Sequence, residues 1–174
     1  MKNEVLSCLE TRRSCRSFKK EQVRDEDLKA ILEAGLFAPS GMNRQSAVIV
    51  SVKDGDTLAV LRRLNAEAMP GGTGDPFYGA PQVLVVLADK RVRTCVEDGS
   101  LVMGNLLTAA ESVGVSACWI HRARETFETE EGRALLEKWG LDDNYVGIGN
   151  CIIGYAEGEK REAAPRRPGR VIFD

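Results

Sequence analysis

The chain has 174 residues, enough for one domain with its own core at about 100 to 200 residues per domain. Hydrophobic residues make up 43% and charged residues 29%, which excludes a wholly disordered or fibrous chain, and no apolar run approaches the roughly 18 residues of a membrane helix. Lys and Arg number 24 against 26 Asp and Glu, a net charge of -2, so no overall positive field exists to hold nucleic acid or an anionic bilayer. Any anion must be met locally.

Val5, Leu6 and Leu9 share one face of a short opening helix, which the basic turn Arg12 to Arg16 ends. A second helix is expected to start at Asp25 as N-cap, with Leu28, Ile31, Leu32 and Leu36 at helical spacing, and to stop at Ala38-Pro39-Ser40-Gly41. The β-branched run Ala47 to Val52 reads as a strand buried on both faces. Asp54 to about Asn65 returns to helical period, and residues 67 to 80, rich in Gly and Pro, form a loop. Val83 to Ala88 is a second strand. Arg93 to Val113 is a long helix apolar around most of its centre, and therefore buried. A third strand, Ser116 to Ile120, a short helix near Glu130 to Trp139 and a glycine-spaced strand from Tyr145 to Tyr155 complete the core. Helices and strands alternate, and the class is α+β. The tail from Gly158 to Asp174 carries five basic residues and closes on Val171-Ile172-Phe173, the pattern of an arm that docks elsewhere. No internal repeat and no linker divides residues 1–174.

The five cysteines, Cys8, Cys15, Cys95, Cys118 and Cys151, are odd in number and contain no C-x-x-C. They read as reduced thiols rather than a disulfide framework or a zinc site. Met1-Lys2-Asn3-Glu4 leads into the amphipathic opening segment without an apolar leader core, and a cytoplasmic address is expected. His121 is the only histidine, which removes most Ser-His-Asp, Cys-His and multi-His metal arrangements. In an enzyme of this composition the hard chemistry is expected to rest with a bound cofactor.

Two stretches carry chemistry. Arg12-Arg13-Ser14-Cys15-Arg16 puts three guanidiniums and a hydroxyl in five residues, which suits either a phosphate or a solvated basic turn. Ala38-Pro39-Ser40-Gly41-Met42-Asn43-Arg44-Gln45, just before the first strand, offers small residues and amides to a flat ligand, or merely turns the chain. Gly71 to Gly74 lack the helix and Lys of a P-loop, and no G-x-G-x-x-G is present. Cys15 is either activated by its arginine neighbours or a packed thiol. Phe77 and Trp119 either stack on a substrate or fill core.

Taken together, R-R-S-x-R at Arg12 to Arg16, a helix, then A-P-S-x-x-N-x-Q at Ala38 to Gln45 resembles the N-terminal signature of the FMN-dependent nitroreductase family. The likeness continues through Phe77-Tyr78-Gly79-Ala80-Pro81, the long helix, Gly114 to Ile120 and Pro165-Arg166-Arg167-Pro168, and so covers nearly the whole chain. The resemblance implies a mixed sheet flanked by helices, in a homodimer with exchanged C-terminal arms and FMN at the interface. By similarity, Arg12, Arg13 and Ser14 hold the FMN phosphate, with Arg166 and Arg167 completing the clamp, and Arg16 lies toward the pyrimidine edge. Pro39, Ser40, Gly41 and Asn43 pack on the ring from the other subunit, and Asn65 meets its polar edge. Trp119, Ile120, His121 and Arg122 form the segment facing the ring and its N5. No protein side chain is expected to be the catalyst. The implied activity is ping-pong hydride transfer from NAD(P)H to an electron-poor small molecule, nitroaromatic or quinone, with a non-turnover flavin-binding dimer as the alternative. Nucleic acid and membrane are not expected partners. Ser46 stands where the family has Pro, and His121 at a ring-facing position is either a hydrogen-bond donor or a surface residue.

Overall fold

The computed structural model describes residues 3–71 and 74–174; Gly72 and Thr73, within the loop expected over 67 to 80, and Met1 and Lys2 lie outside the described residues. Helix α1 spans Glu4–Thr11, capped by the Asn3 side chain, which accepts from Leu6 N at 2.9 Å. Helix α2 runs Asp25–Leu36. Its N-cap is Arg24 without a side-chain bond, and Asp25 instead joins Glu26 and Asp27 in an acidic first turn that suits the helix dipole. A single 3-10 turn, Gly41–Asn43, precedes β1, Ala47–Val52. Asp54 caps α3, Gly55–Glu67, by accepting from Thr57 N at 2.8 Å. The remaining elements are β2 Gln82–Asp89, α4 Cys95–Ser112, β3 Ser116–Ile120, α5 Ala123–Glu128, α6 Glu130–Lys138 and β4 Tyr145–Gly154. Helix α5 has no counterpart among the sequence-based expectations; its six residues are too few to show a helical period.

The strands form one sheet in the order β1-β2-β4-β3 with every neighbour antiparallel. This corrects the mixed sheet that the resemblance implied. Among the described residues the sole parallel pairing is an isolated bridge, Ser14 to Ala117, where the segment after α1 runs beside β3 without becoming a fifth strand. The expectation that β1 is buried on both faces is also corrected. It pairs only with β2, as an edge strand, so Ala47 to Val50 are half-buried and Ser51 is exposed. Central β2 is buried from Gln82 to Ala88 and divides its side chains by the two-residue period of a strand. Val83, Val85 and Leu87 pack with Leu61, Phe77, Phe127 and Leu136 under α3, α5 and α6, whereas Leu84, Val86 and Ala88 pack with Ile31, Met103 and Leu106 under α2 and α4.

Two close approaches pin loops against this frame. A Cβ on Gly147 of β4 would lie 2.2 Å from the Ala123 carbonyl oxygen, so only glycine lets the β3-to-α5 junction press onto the sheet. Asp98 of α4 is buried, and its carboxylate accepts from Gly41 N at 2.9 Å, Ser46 Oγ at 2.7 Å and Thr94 Oγ1 at 3.2 Å, tying the loop before β1 to the start of α4. Burial pushes this carboxyl up, but the three hydrogen bonds outweigh it and hold the group below the usual carboxylate range.

Much apolar surface stays uncovered. Helix α1 buries none of its residues, and Val5, Leu9, Leu36, Phe37, Met42, Leu101 and the tail's Val171, Ile172 and Phe173 are exposed. Every residue from Glu157 to Asp174 is exposed. The chain shows 10869 Å² to solvent, against about 8,400 Å² for a compact monomer of its 19.0 kDa.

Gly147→Ala is expected to destabilise the fold by about 1 to 3 kcal/mol in denaturant melts, because backbone rather than a flexible side chain opposes the methyl group. Asp98→Asn is expected to cost about 1 to 3 kcal/mol at neutral pH. A carboxyl whose folded pKa is depressed stabilises above its unfolded value and loses that contribution as pH falls through the folded value. The gap between wild type and Asp98→Asn should therefore close on acidification below about pH 4, and a gap independent of pH would contradict the assignment.

Candidate functional site

The turn after α1 places Arg12 and Arg13 half-buried between α1 and β3, with Cys15 N bonded to the Ala117 carbonyl at 3.0 Å. Arg13 Nη1 donates to the carbonyls of Glu10 at 2.8 Å and Arg12 at 2.5 Å. Arg12 Nη1 and Arg13 Nε are buried and have no hydrogen-bond partner among the described residues. Nor does either guanidinium, or that of Arg16, pair with a carboxylate there. A buried charged donor left unmade costs more than a neutral one, and the arrangement fits an anionic ligand.

Beside this turn opens a cleft of about 430 Å³ lined by Arg13, Ser14, Arg16, Glu111, Lys160 and Arg161 among others. Glu111 is neutralised there by a close ion pair with Lys160 and accepts from Thr11 Oγ1 at 3.1 Å. The tail thus reaches the cleft through Lys160 and Arg161. Arg166 and Arg167, the residues expected there, do not line it; both are exposed, and the Arg166 guanidinium turns back to the Ala164 carbonyl at 2.7 Å. Beyond Arg161 every residue of the tail is exposed.

Arg16 also borders a second recess of about 260 Å³ that Tyr78, Trp119, Ile120, His121 and Arg122 help to line. Trp119 rests on β4, where a Cβ on Gly149 would meet its Nε1 at 2.4 Å. The backbone after β3 is held at successive carbonyls. His121 O accepts from Asn65 Nδ2 at 2.7 Å, and Arg122 O from Thr126 N at 3.0 Å and Thr126 Oγ1 at 2.9 Å. Arg122 itself is left-handed, φ 70°, where it begins α5. Asn65 is wholly buried with Oδ1 unpartnered among the described residues, so in this single chain its amide positions His121 and does not open on the recess. The His121 side chain is exposed.

Pro39, Ser40, Gly41 and Asn43 lie at the other end of α4. Gly41 sits so close to Thr94 that a Cβ would approach its Oγ1 to 2.4 Å, and Asp98 holds the loop there. Asp98 and Glu111 are separated by about 20 Å of helix at 1.5 Å per residue, so one protomer does not bring its two sequence motifs together. The loop carries three left-handed non-glycine residues, Met42, Asn43 and Gln45.

The thiols divide by burial. Burial pushes Cys118 up despite Ser14 and Arg16 nearby, and takes Cys151 to about 12, leaving both protonated at neutral pH. Cys15 is half-buried and donates to the Ser17 carbonyl at 3.1 Å. Phe77 is core, with no exposed surface. The aromatic ring that borders the recess besides Trp119 is Tyr78, which in sequence reads only as a lead-in to β2; nor do Lys160, Arg161 and Thr126 stand out there. No helix of the described residues is long and apolar enough to cross a membrane, and no group of three or more metal-ligating side chains forms among them.

Comparison with known proteins bears on this geometry. A protein of Archaeoglobus fulgidus, provisionally assigned as an NADH dehydrogenase/NAD(P)H nitroreductase, is 32% identical over 163 residues, covering 90% of this chain and 88% of that one. An FMN reductase [NAD(P)H] of Bacillus subtilis is 26% identical over 193 residues, covering 98% of this chain and 72% of its own length. Among solved structures, a nitroreductase with bound FMN from Bacteroides fragilis superposes with a TM-score of 0.91 at 29% identity, covering 99% of this chain and all of that one, 100%. The model of the Nitroreductase family matches residues 9–155, from the end of α1 to just past β4, and the chain belongs to that family.

Proposed function

We propose that the chain is an FMN-dependent NAD(P)H oxidoreductase that works as a homodimer and passes electrons to an electron-poor small molecule of nitroaromatic or quinone type. The observation that carries this reading is the set of buried, unpartnered guanidinium nitrogens on Arg12 and Arg13 beside an open cleft. A dianionic phosphate supplies what those donors lack. Support comes from the FMN that the Bacteroides fragilis nitroreductase holds and from the activities that the relatives' names carry.

When bound, FMN supplies the hydride chemistry that no side chain here can perform. The chain's own residues bind and orient. Arg12, Arg13 and Ser14 seat the phosphate, with Arg166 and Arg167 joining from the tail. Arg16, which borders both openings, stabilises negative charge at the pyrimidine edge of the ring. Trp119, Ile120, His121 and Arg122 present a backbone held from behind by Asn65 and Thr126, so the ring-facing atoms need no reorganisation. Pro39, Ser40, Gly41 and Asn43 of the second subunit cover the ring, which places one end of each α4 against the other end of its mate and answers the separation within one protomer. The uncovered apolar face of α1 and α4, and the free arm ending in Val171-Ile172-Phe173, are the surfaces that dimer would bury. Three buried free thiols suit a reducing compartment, the cytoplasm.

The pure protein should be yellow and should lose its visible bands on anaerobic titration with NADH or NADPH; a protein still colourless after FMN is added sinks the proposal. Arg12→Ala is expected to weaken FMN binding by about ten- to a hundredfold, the worth of one charged hydrogen bond, as read by fluorescence titration. Unchanged affinity would remove Arg12 from the phosphate seat. Replacing Val171, Ile172 and Phe173 together by Ser should raise the dimer dissociation constant by at least about tenfold in sedimentation equilibrium, since each apolar side chain contributes about 1.5 to 3 kcal/mol when buried.

A further inference from the structure

We propose that Tyr78 is a specificity-determining residue, an aromatic wall of the recess near Arg122 that selects flat aromatic acceptors by stacking on their rings. The proposal rests on the oxidoreductase reading for the meaning of the recess, but its structural support is separate. Phe77, Tyr78, Gly79 and Ala80 form a turn closed by Ala80 N donating to Phe77 O at 3.0 Å, with φ 54° at Tyr78 and 75° at Gly79. Positive φ at both central positions is the signature of a type I′ turn, which Asn and Gly occupy readily and a bulky aromatic does not.

The strain is held in place from every side. Asp75 accepts from Phe77 N at 2.8 Å and from Gly79 N at 2.7 Å, and Arg62 reaches Ala80 O at 2.6 Å while its Nε lies 3.6 Å from Asp75. Phe77 and Ala80 flank the turn with no exposed surface, whereas Tyr78 keeps 41% of its own. Its ring stands 5.9 Å from the Arg16 guanidinium and lines the recess with Trp119, His121 and Arg122. A braced turn that forces one exposed aromatic into an unfavourable conformation beside a cleft is strain kept for a use. Folding of the turn would be served better by Asn.

The preference of the turn for Asn separates function from structure. The variants are Tyr78→Phe, Tyr78→Leu and Tyr78→Asn, each as FMN-loaded protein. Benzoate, an aromatic anion that cannot be reduced, is titrated by its perturbation of the flavin spectrum. It should bind about tenfold more weakly to the Leu and Asn variants and within about twofold of wild type to Phe. The acceptors 4-nitrobenzoate and ferricyanide are both anions, so the basic rim acts on both and the ratio of their kcat/KM isolates the ring. That ratio should fall about tenfold in Leu and Asn, mainly through KM for 4-nitrobenzoate. Tyr78→Asn should melt no lower than wild type and by preference about 2 to 4 °C higher, because the turn strain is relieved.

Benzoate binding and acceptor ratio unchanged in Leu and Asn would overturn the proposal. So would a Tyr78→Asn that melts well below wild type while losing both acceptors together, since Tyr78 would then be structural. A wild-type protein that reduces neither acceptor would overturn the oxidoreductase reading instead, and benzoate binding, which needs no turnover, would still report on Tyr78.

Discussion

The interaction on which the site depends is one the single chain leaves unmade. Arg12 Nη1 and Arg13 Nε are buried without acceptors among the described residues, while of the three glutamates that line the cleft beside Arg13, Glu111 is engaged by Lys160, and Glu157 and Glu159 are exposed. Arginine cannot escape by losing its proton, and a buried charged donor without an acceptor is costly. The turn that carries these donors is anchored on both sides, by α1 and by the Cys15 bond to Ala117. On the proposed reading, an anionic ligand would convert that cost into affinity.

Backbone strain marks the same places. Among the described residues the non-glycine positions with positive φ are Met42, Asn43, Gln45, Tyr78 and Arg122. Three lie in the loop that Asp98 secures, one in the turn that Asp75 and Arg62 brace, and one at the junction that Asn65 and Thr126 hold. None lies within the four strands or in the body of the long helix. Each strained segment therefore has its own polar anchor on a regular element: Asp98 on α4, Asn65 on α3 and Thr126 on α5 are buried, and Arg62 on α3 is half-buried. Rigid helices thus set the geometry of flexible chemistry-bearing loops.

Periodicity makes most of the fold legible. Helix α4 and strands β2 and β3 fall where apolar spacing puts them, because packing against both layers of a sheet leaves a strong pattern. What escapes has physical causes. Helix α5 is too short to repeat, β1 is apolar enough to read as central although it is an edge, and the absence of parallel pairing is a matter of topology that no local pattern encodes. At the site, Arg12 to Arg16 and Pro39 to Asn43 stand out by composition, yet their separation along α4 can only be measured in three dimensions. Tyr78 escapes because its meaning lies in a φ sign; the spacing of Asp75 to Gly79 is the available clue, an Asx-capped turn with an aromatic where Asn or Gly is usual. Lys160 and Arg161 are less conspicuous than Arg166 and Arg167, and a tail's path cannot be read from its charge.

The central claim is that a phosphate, rather than the ring alone, secures the ligand at Arg12, Arg13 and Ser14. Parallel titrations with FMN and riboflavin, which differ only by that phosphate, test it most directly. The account predicts FMN binding tighter by about a hundredfold or more, with the advantage shrinking as salt rises. Equal affinities for the two, within about threefold, would contradict it and leave the buried guanidiniums without an explanation.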